Sequence, residues 1–101
     1  MRLMLFFDLH TETPKNRHDY AVFRRYLLKS GFIMMQKSVY SKLVLNNVTS
    51  RAVVEKVRQN LPPEGIVELL EVTENQFARI EYMLGERQTA VLESRDRLVE
   101  I

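Results

Sequence analysis

Leu3-Met4-Leu5-Phe6-Phe7-Asp8-Leu9 is an apolar run in which the sole interruption is a carboxylate. Such a run reads as a central, buried strand, and the polar loop from His10 to Asn16 ends it. A carboxylate at the exit of a buried strand is held rigidly and still meets solvent. That position suits a metal ligand or a general base. One carboxylate per chain is too few to hold a catalytic cation. A functional Asp8 therefore needs a second copy from a partner subunit, or a nucleic-acid phosphate, to complete its site. An ordinary strand-end aspartate would bond loop amides instead.

Downstream, Asn16 can cap a helix with Asp19 in its first turn, where a negative charge favours the helix dipole. Tyr20, Phe23, Leu27 and Leu28 recur at helical spacing, and Gly31 supplies the stop after Ser30. Phe32 to Leu45 reads as extended, with Gln36 to Ser38 either a tight reversal or a bend. Thr49 or Ser50 can cap a second helix whose Ala52, Val53, Val54, Val57 and Leu61 form one apolar stripe, ended by Pro62-Pro63 and Gly65. Ile66 to Val72 is a further strand. Glu74-Asn75 can turn the chain into another, in which Ala78, Ile80, Tyr82 and Leu84 alternate with Phe77, Arg79, Glu81 and Met83.

This order predicts an α+β sandwich, an antiparallel sheet covered on one face by two helices, most commonly in the split βαβ or ferredoxin-like arrangement. Residues 1–86 would form that domain. Residues 87–101 would be a charged tail, with Leu98, Val99 and Ile101 able to form a last edge strand. The uncovered sheet face calls for a second subunit stacked against it.

A chain of 101 residues is expected to be one domain. It has no cysteine, which excludes disulfides and thiolate metal sites. No apolar stretch approaches the roughly 18 residues of a membrane span. The N-terminal run lacks a basic start and a cleavage site, so a cytoplasmic protein is expected. Charge is uneven: residues 1–60 hold 11 Lys and Arg against 4 Asp and Glu, whereas residues 61–101 hold 4 against 9. A basic face for a polyanion, with an acidic element kept away from it, would account for the asymmetry, as would two sets of solvated charges that mingle in space.

The loop after Asp8 carries His10, Glu12, Lys15 and Arg17. Its cations and the amides of the following helix could grip phosphates. His10 and His18 match no familiar zinc spacing, but either could titrate near neutral pH and modulate a nearby carboxylate. Ser38 and Ser41 lie in no nucleophile motif, and the three glycines sit at element ends rather than in a phosphate loop.

Three segments together carry a family resemblance. Phe6-Phe7-Asp8-Leu9 ends the first strand. Tyr20-x-x-Phe23-Arg24-x-x-Leu27-x-Lys29-x-Gly31-Phe32 is followed by Gln36-x-Ser38-Val39-Tyr40. Val72-Thr73-Glu74-x-Gln76-Phe77 leads to Gly85-Glu86. Over residues 1 to 86 the chain resembles the second core CRISPR-associated protein, the small companion of the CRISPR integrase. The late segment is nearest to members from systems with a single large RNA-guided effector.

The resemblance implies a ferredoxin-like homodimer joined through its sheets, with a C-terminal strand crossing to the partner. It implies that the dimer bridges integrase dimers and lies along duplex DNA during spacer acquisition. It also implies a magnesium- or manganese-dependent endonuclease acting on single-stranded RNA or duplex DNA. In such a dimer Asp8 of each subunit would face its twin and share the cation, which would activate water. Two close carboxylates repel without a cation, so activity is expected to depend on pH. Candidate nucleic-acid contacts are Lys15, Arg17, Arg24, Arg25, Lys37 and Lys42, with Arg17 and Arg24 favoured. Many members carry proline where this chain has His10, which makes His10 a candidate modulator of the site's pH response. The alternative is a toxin-like, metal-dependent endoribonuclease of similar fold with no integrase partner.

Overall fold

The structure is a computed structural model that describes residues 1–86. Its elements run β1 (Arg2–Asp8), α1 (Pro14–Lys29), β2 (Ile33–Gln36), β3 (Val39–Leu43), α2 (Asn47–Gln59), β4 (Ile66–Val72) and α3 (Glu74–Ala78). The four strands form one antiparallel sheet in the order β2-β3-β1-β4. This is the ferredoxin-like arrangement, and the apolar run is a central strand as read.

Side chains alternate across a sheet. Leu3, Leu5 and Phe7 of β1 therefore face the two helices, and Arg2, Met4, Phe6 and Asp8 face away. On the helix side, Leu5 and Phe7 join Phe23 and Leu27 of α1, Phe32, Tyr40 of β3 and Val57 of α2 in one buried cluster. Phe7 is its hub. It meets Tyr20 and Phe23 edge-on, with centroids 5.9 and 5.5 Å apart, and stacks on Tyr40 at 5.6 Å. Such pairs add about 0.5–1.5 kcal/mol beyond the apolar area they bury.

The side away from the helices is also apolar but only partly covered. Register sets Met4 opposite Ser41 and Leu70, Phe6 opposite Val39 and Glu68, and Arg2 opposite Leu43 and Val72. Ile66, Leu70 and Leu43 on this side are 59%, 52% and 53% exposed, far more than core residues allow. Ile80 to Leu84 run across part of it, sharing a groove with Met4, Phe6 and Val39.

Gln36 to Ser38 is a reversal between two strands rather than a bend within one. The cap of α1 is Thr13, not Asn16. The Thr13 hydroxyl accepts from the Asn16 amide at 3.0 Å, and the Asn16 side chain accepts from the Thr13 amide at 3.4 Å. Pro14 takes the first helical position, where its missing N–H costs nothing. Asp19 consequently lies beyond the first turn. The cap of α2 is Asn46, whose side chain accepts from the Thr49 amide at 2.8 Å, rather than Thr49 or Ser50.

The strand expected over 77–84 is not formed. Thr73 and Gln76 close a second capping box and start α3 where a hairpin turn was expected. Among the described residues no strand follows β4. The expected edge strand at Leu98, Val99 and Ile101 lies outside the described residues.

Candidate metal and nucleic-acid site

Asp8 is the last residue of β1, exposed, on the sheet face turned away from α1 and α2. Three elements hold it there. On one side it pairs in register with Ile66 at the start of β4. On the other, the Phe7 amide donates to the Ser38 carbonyl in the β2–β3 turn at 3.1 Å. The loop that follows is bound to α1: the Arg17 guanidinium donates to the carbonyls of Thr11 at 3.0 Å and Glu12 at 3.2 Å. The carboxylate therefore leaves a fixed strand end and points away from the aromatic core.

The β2–β3 turn brings Lys37 to the same end of the sheet. Its carbonyl accepts from the Tyr20 hydroxyl at 3.2 Å, which ties the turn to α1. Arg24, one helical turn beyond Tyr20, lies by the buried Tyr40 hydroxyl without closing a hydrogen bond of good geometry. Burial pushes the Tyr40 phenol up from its ordinary pKa, and the charge of Arg24 works against that shift. Arg25 and Lys37 make no side-chain bond or ion pair among the described residues.

Two predicted contacts are engaged locally. Lys15 pairs with Asp19 at 2.9 Å, and that hydrogen-bonded partner raises its pKa. Arg17 spends one end of its guanidinium on the loop carbonyls. Lys42 lies elsewhere. It is opposite Leu3 on the helix-covered face, and its ammonium donates to the Ser30 carbonyl at 2.9 Å, capping the end of α1. His10 is exposed beside Glu12, with Nδ1 3.8 Å from the carboxylate. It is two residues past Asp8, in the loop that follows β1.

No group of three or more His, Cys, Asp or Glu able to hold a metal is present among the described residues. Asp8 offers the hard oxygen donor that magnesium or manganese prefers. A single chain does not complete the set. The donor chemistry fits such an ion only where a second Asp8, or a phosphate, approaches along the open face.

Sequence reasoning missed Gly65, which it took for a helix end. Gly65 packs on the Asp8–Leu9 backbone, and its position immediately before β4 was the available signal. It also missed the part played by Ser38, whose contribution is a backbone carbonyl that no side-chain pattern reveals.

Comparison with known proteins agrees with this architecture. The family described as CRISPR associated protein Cas2 matches residues 1–80. A protein named CRISPR-associated endoribonuclease Cas2 from Treponema denticola is 57% identical over 99 residues, covering 98% of each chain. One of the same name from Streptococcus mutans is 50% identical over 99 residues, covering 98% of this chain and 91% of its own. Among solved structures, a crystal structure of Streptococcus pyogenes Cas2 at pH 6.5 aligns with a TM-score of 0.63 and 20% identity. It covers 84% of this chain and all of its own, a likeness of fold. The chain belongs to the Cas2 family of CRISPR-associated proteins.

Proposed function

We propose that this chain works in spacer acquisition as a homodimer that bridges two integrase dimers and binds duplex DNA. In the same proposal it can act as a magnesium- or manganese-dependent endonuclease on RNA or DNA, centred on Asp8. The observation that carries the proposal is that Asp8 shares its face with Ile66, Leu70 and Leu43, apolar residues that stay exposed on the side turned away from α1 and α2. Stacking two copies over that face buries the apolar patch and, in the same step, brings both Asp8 carboxylates to the interface. A divalent ion held between them would supply an activated water and neutralise charge on a phosphate.

Arg24, Arg25 and Lys37 are the cations best placed for phosphate, because no carboxylate among the described residues holds them. Lys15 and Arg17 are exposed but partly engaged, and the Lys42 ammonium closes α1. The name endoribonuclease borne by the relatives supports the nuclease part of the reading.

Cleavage of RNA and of duplex DNA tests the proposal, with magnesium or a chelator, by wild type and Asp8→Ala across pH. Loss of cleavage on chelation and in the variant is expected, and cleavage retained in Asp8→Ala would sink the nuclease assignment. Co-purification with the integrase separates the acquisition role from a toxin-like RNA cutter, which would bring down none.

A further inference from the structure

Gly65 comes immediately before Ile66, the register partner of Asp8. Its φ is +108°, in the range that favours glycine. A Cβ at this position would stand 2.6 Å from Leu9 Cδ2, 2.9 Å from the Asp8 carbonyl oxygen and 3.3 Å from Leu9 Cα. Two of those three atoms are backbone, so rotating side chains cannot relieve the collision; the Asp8–Leu9 peptide itself has to move. Gly31 makes a useful contrast. Its φ is +94°, but the one atom near its absent Cβ is the Lys42 ammonium nitrogen at 2.7 Å, the tip of a flexible side chain. It lies at the other end of the sheet, away from the β2–β3 turn.

We propose that Gly65 is a positioning residue for Asp8. Its missing side chain lets the loop before β4 close against the Asp8–Leu9 peptide. With the bond from Phe7 to Ser38 on the opposite side, that closure fixes the direction in which the carboxylate leaves the sheet. The inference rests on the reading of Asp8 as the metal-binding carboxylate. Any L side chain at position 65 pushes the strand end outward and turns the carboxylate away from its productive direction. A displacement approaching 1 Å at a reacting group can cost up to about 100-fold in rate.

The test uses the full chain and four proteins: wild type, Asp8→Ala, Gly65→Ala and Gly31→Ala. Manganese is titrated without nucleic acid, and paramagnetic broadening of the amide resonances of residues 7–10 is followed alongside RNA cleavage. Both glycine variants carry backbone strain and should melt at lower temperature than wild type. Only Gly65→Ala should also weaken manganese binding and slow cleavage, by about 10- to 100-fold.

Equal manganese binding and cleavage in Gly65→Ala and Gly31→Ala, with both lost in Asp8→Ala, would overturn the positioning role alone. Absence of Asp8-dependent broadening in the wild type would overturn the metal reading and this inference with it. If Gly65→Ala does not fold, Leu9→Ala/Gly65→Ala takes its place. That pair removes the side-chain collision, keeps the one with the Asp8 carbonyl, and is judged by the same outcomes.

Discussion

Asp8 does no visible structural work: its carboxylate makes no hydrogen bond or ion pair among the described residues and stands exposed at the strand end. Exposed side chains of this kind can be replaced within roughly 0.5 kcal/mol of stability. Asp8→Asn should therefore melt within about 4 °C of wild type and yet show no metal-dependent cleavage. A melting curve and a nuclease assay on one preparation decide it. A variant that loses both stability and activity would make Asp8 structural. Arg17 shows the reverse case. It looks like a phosphate contact by position, yet one end of its guanidinium serves the two carbonyls that shape the loop after Asp8.

The elements owe their boundaries to caps, each typically worth about 1 kcal/mol. α3 owes its place to a clasp as well. The Arg2 guanidinium meets both Glu74 oxygens at 3.1 and 2.9 Å and lies 4.1 Å over the Phe77 ring. Hydrogen bonding from Arg2 holds Glu74 below its ordinary pKa of 4.5. A carboxylate lowered by folding adds stability that is complete above its unfolded pKa and lost as pH falls through the folded one. Glu74→Gln should melt slightly below wild type at neutral pH, and the gap should close as the pH drops below about 4.5. Thermal melts at several pH values measure this, and a gap that is constant with pH would count against it.

At this scale the sequence is most readable where one side of an element is decided by packing. β1, β4 and the apolar stripe of α1 follow from their patterns. What pattern did not reveal were choices between neighbouring polar residues. Thr13 and Asn16 are both good caps, and Pro14 decides between them only if it is read as a helix start rather than a loop residue. Residues 77–84 alternate like a strand, but Thr73 and Gln76 make a local helical turn more favourable just before them, and Arg2, 72 positions away from Glu74, fastens it. Asp8 was legible because it breaks an apolar run. The Ser38 carbonyl that holds the strand end leaves no trace in side-chain character, and Gly65 was visible as a glycine but reads as a helix end until β4 is placed beside Asp8.

For the whole molecule, the open sheet face and the cations on α1 and the β2–β3 turn make separable predictions. Leu70 is 52% exposed on that face, so a charge there costs the monomer little. On the proposed homodimer, wild type is expected to sediment as a dimer and Leu70→Asp as a folded monomer; a dimeric variant would place the interface elsewhere. Duplex binding should fall with salt, with the logarithmic slope losing about 0.9 for each phosphate contact removed. Replacing Arg24, Arg25 and Lys37 by Gln should flatten the slope accordingly, while the affinity stays indifferent to base sequence. An unchanged slope would exclude these three as contacts.

The strand order also bears on how the chain assembles. β2 and β3 are adjacent in sequence and can zip together as soon as both exist. β1 comes first yet sits between β3 and β4, so Arg2 must wait for Val72 before that flank is satisfied. Closing so long a loop is slow because its entropy is lost before any contact rewards it. A chain still being synthesised therefore carries β1 with one naked edge until β4 is available. β4 and the Arg2–Glu74 clasp are expected to dock last, so weakening them should hasten unfolding far more than it delays folding.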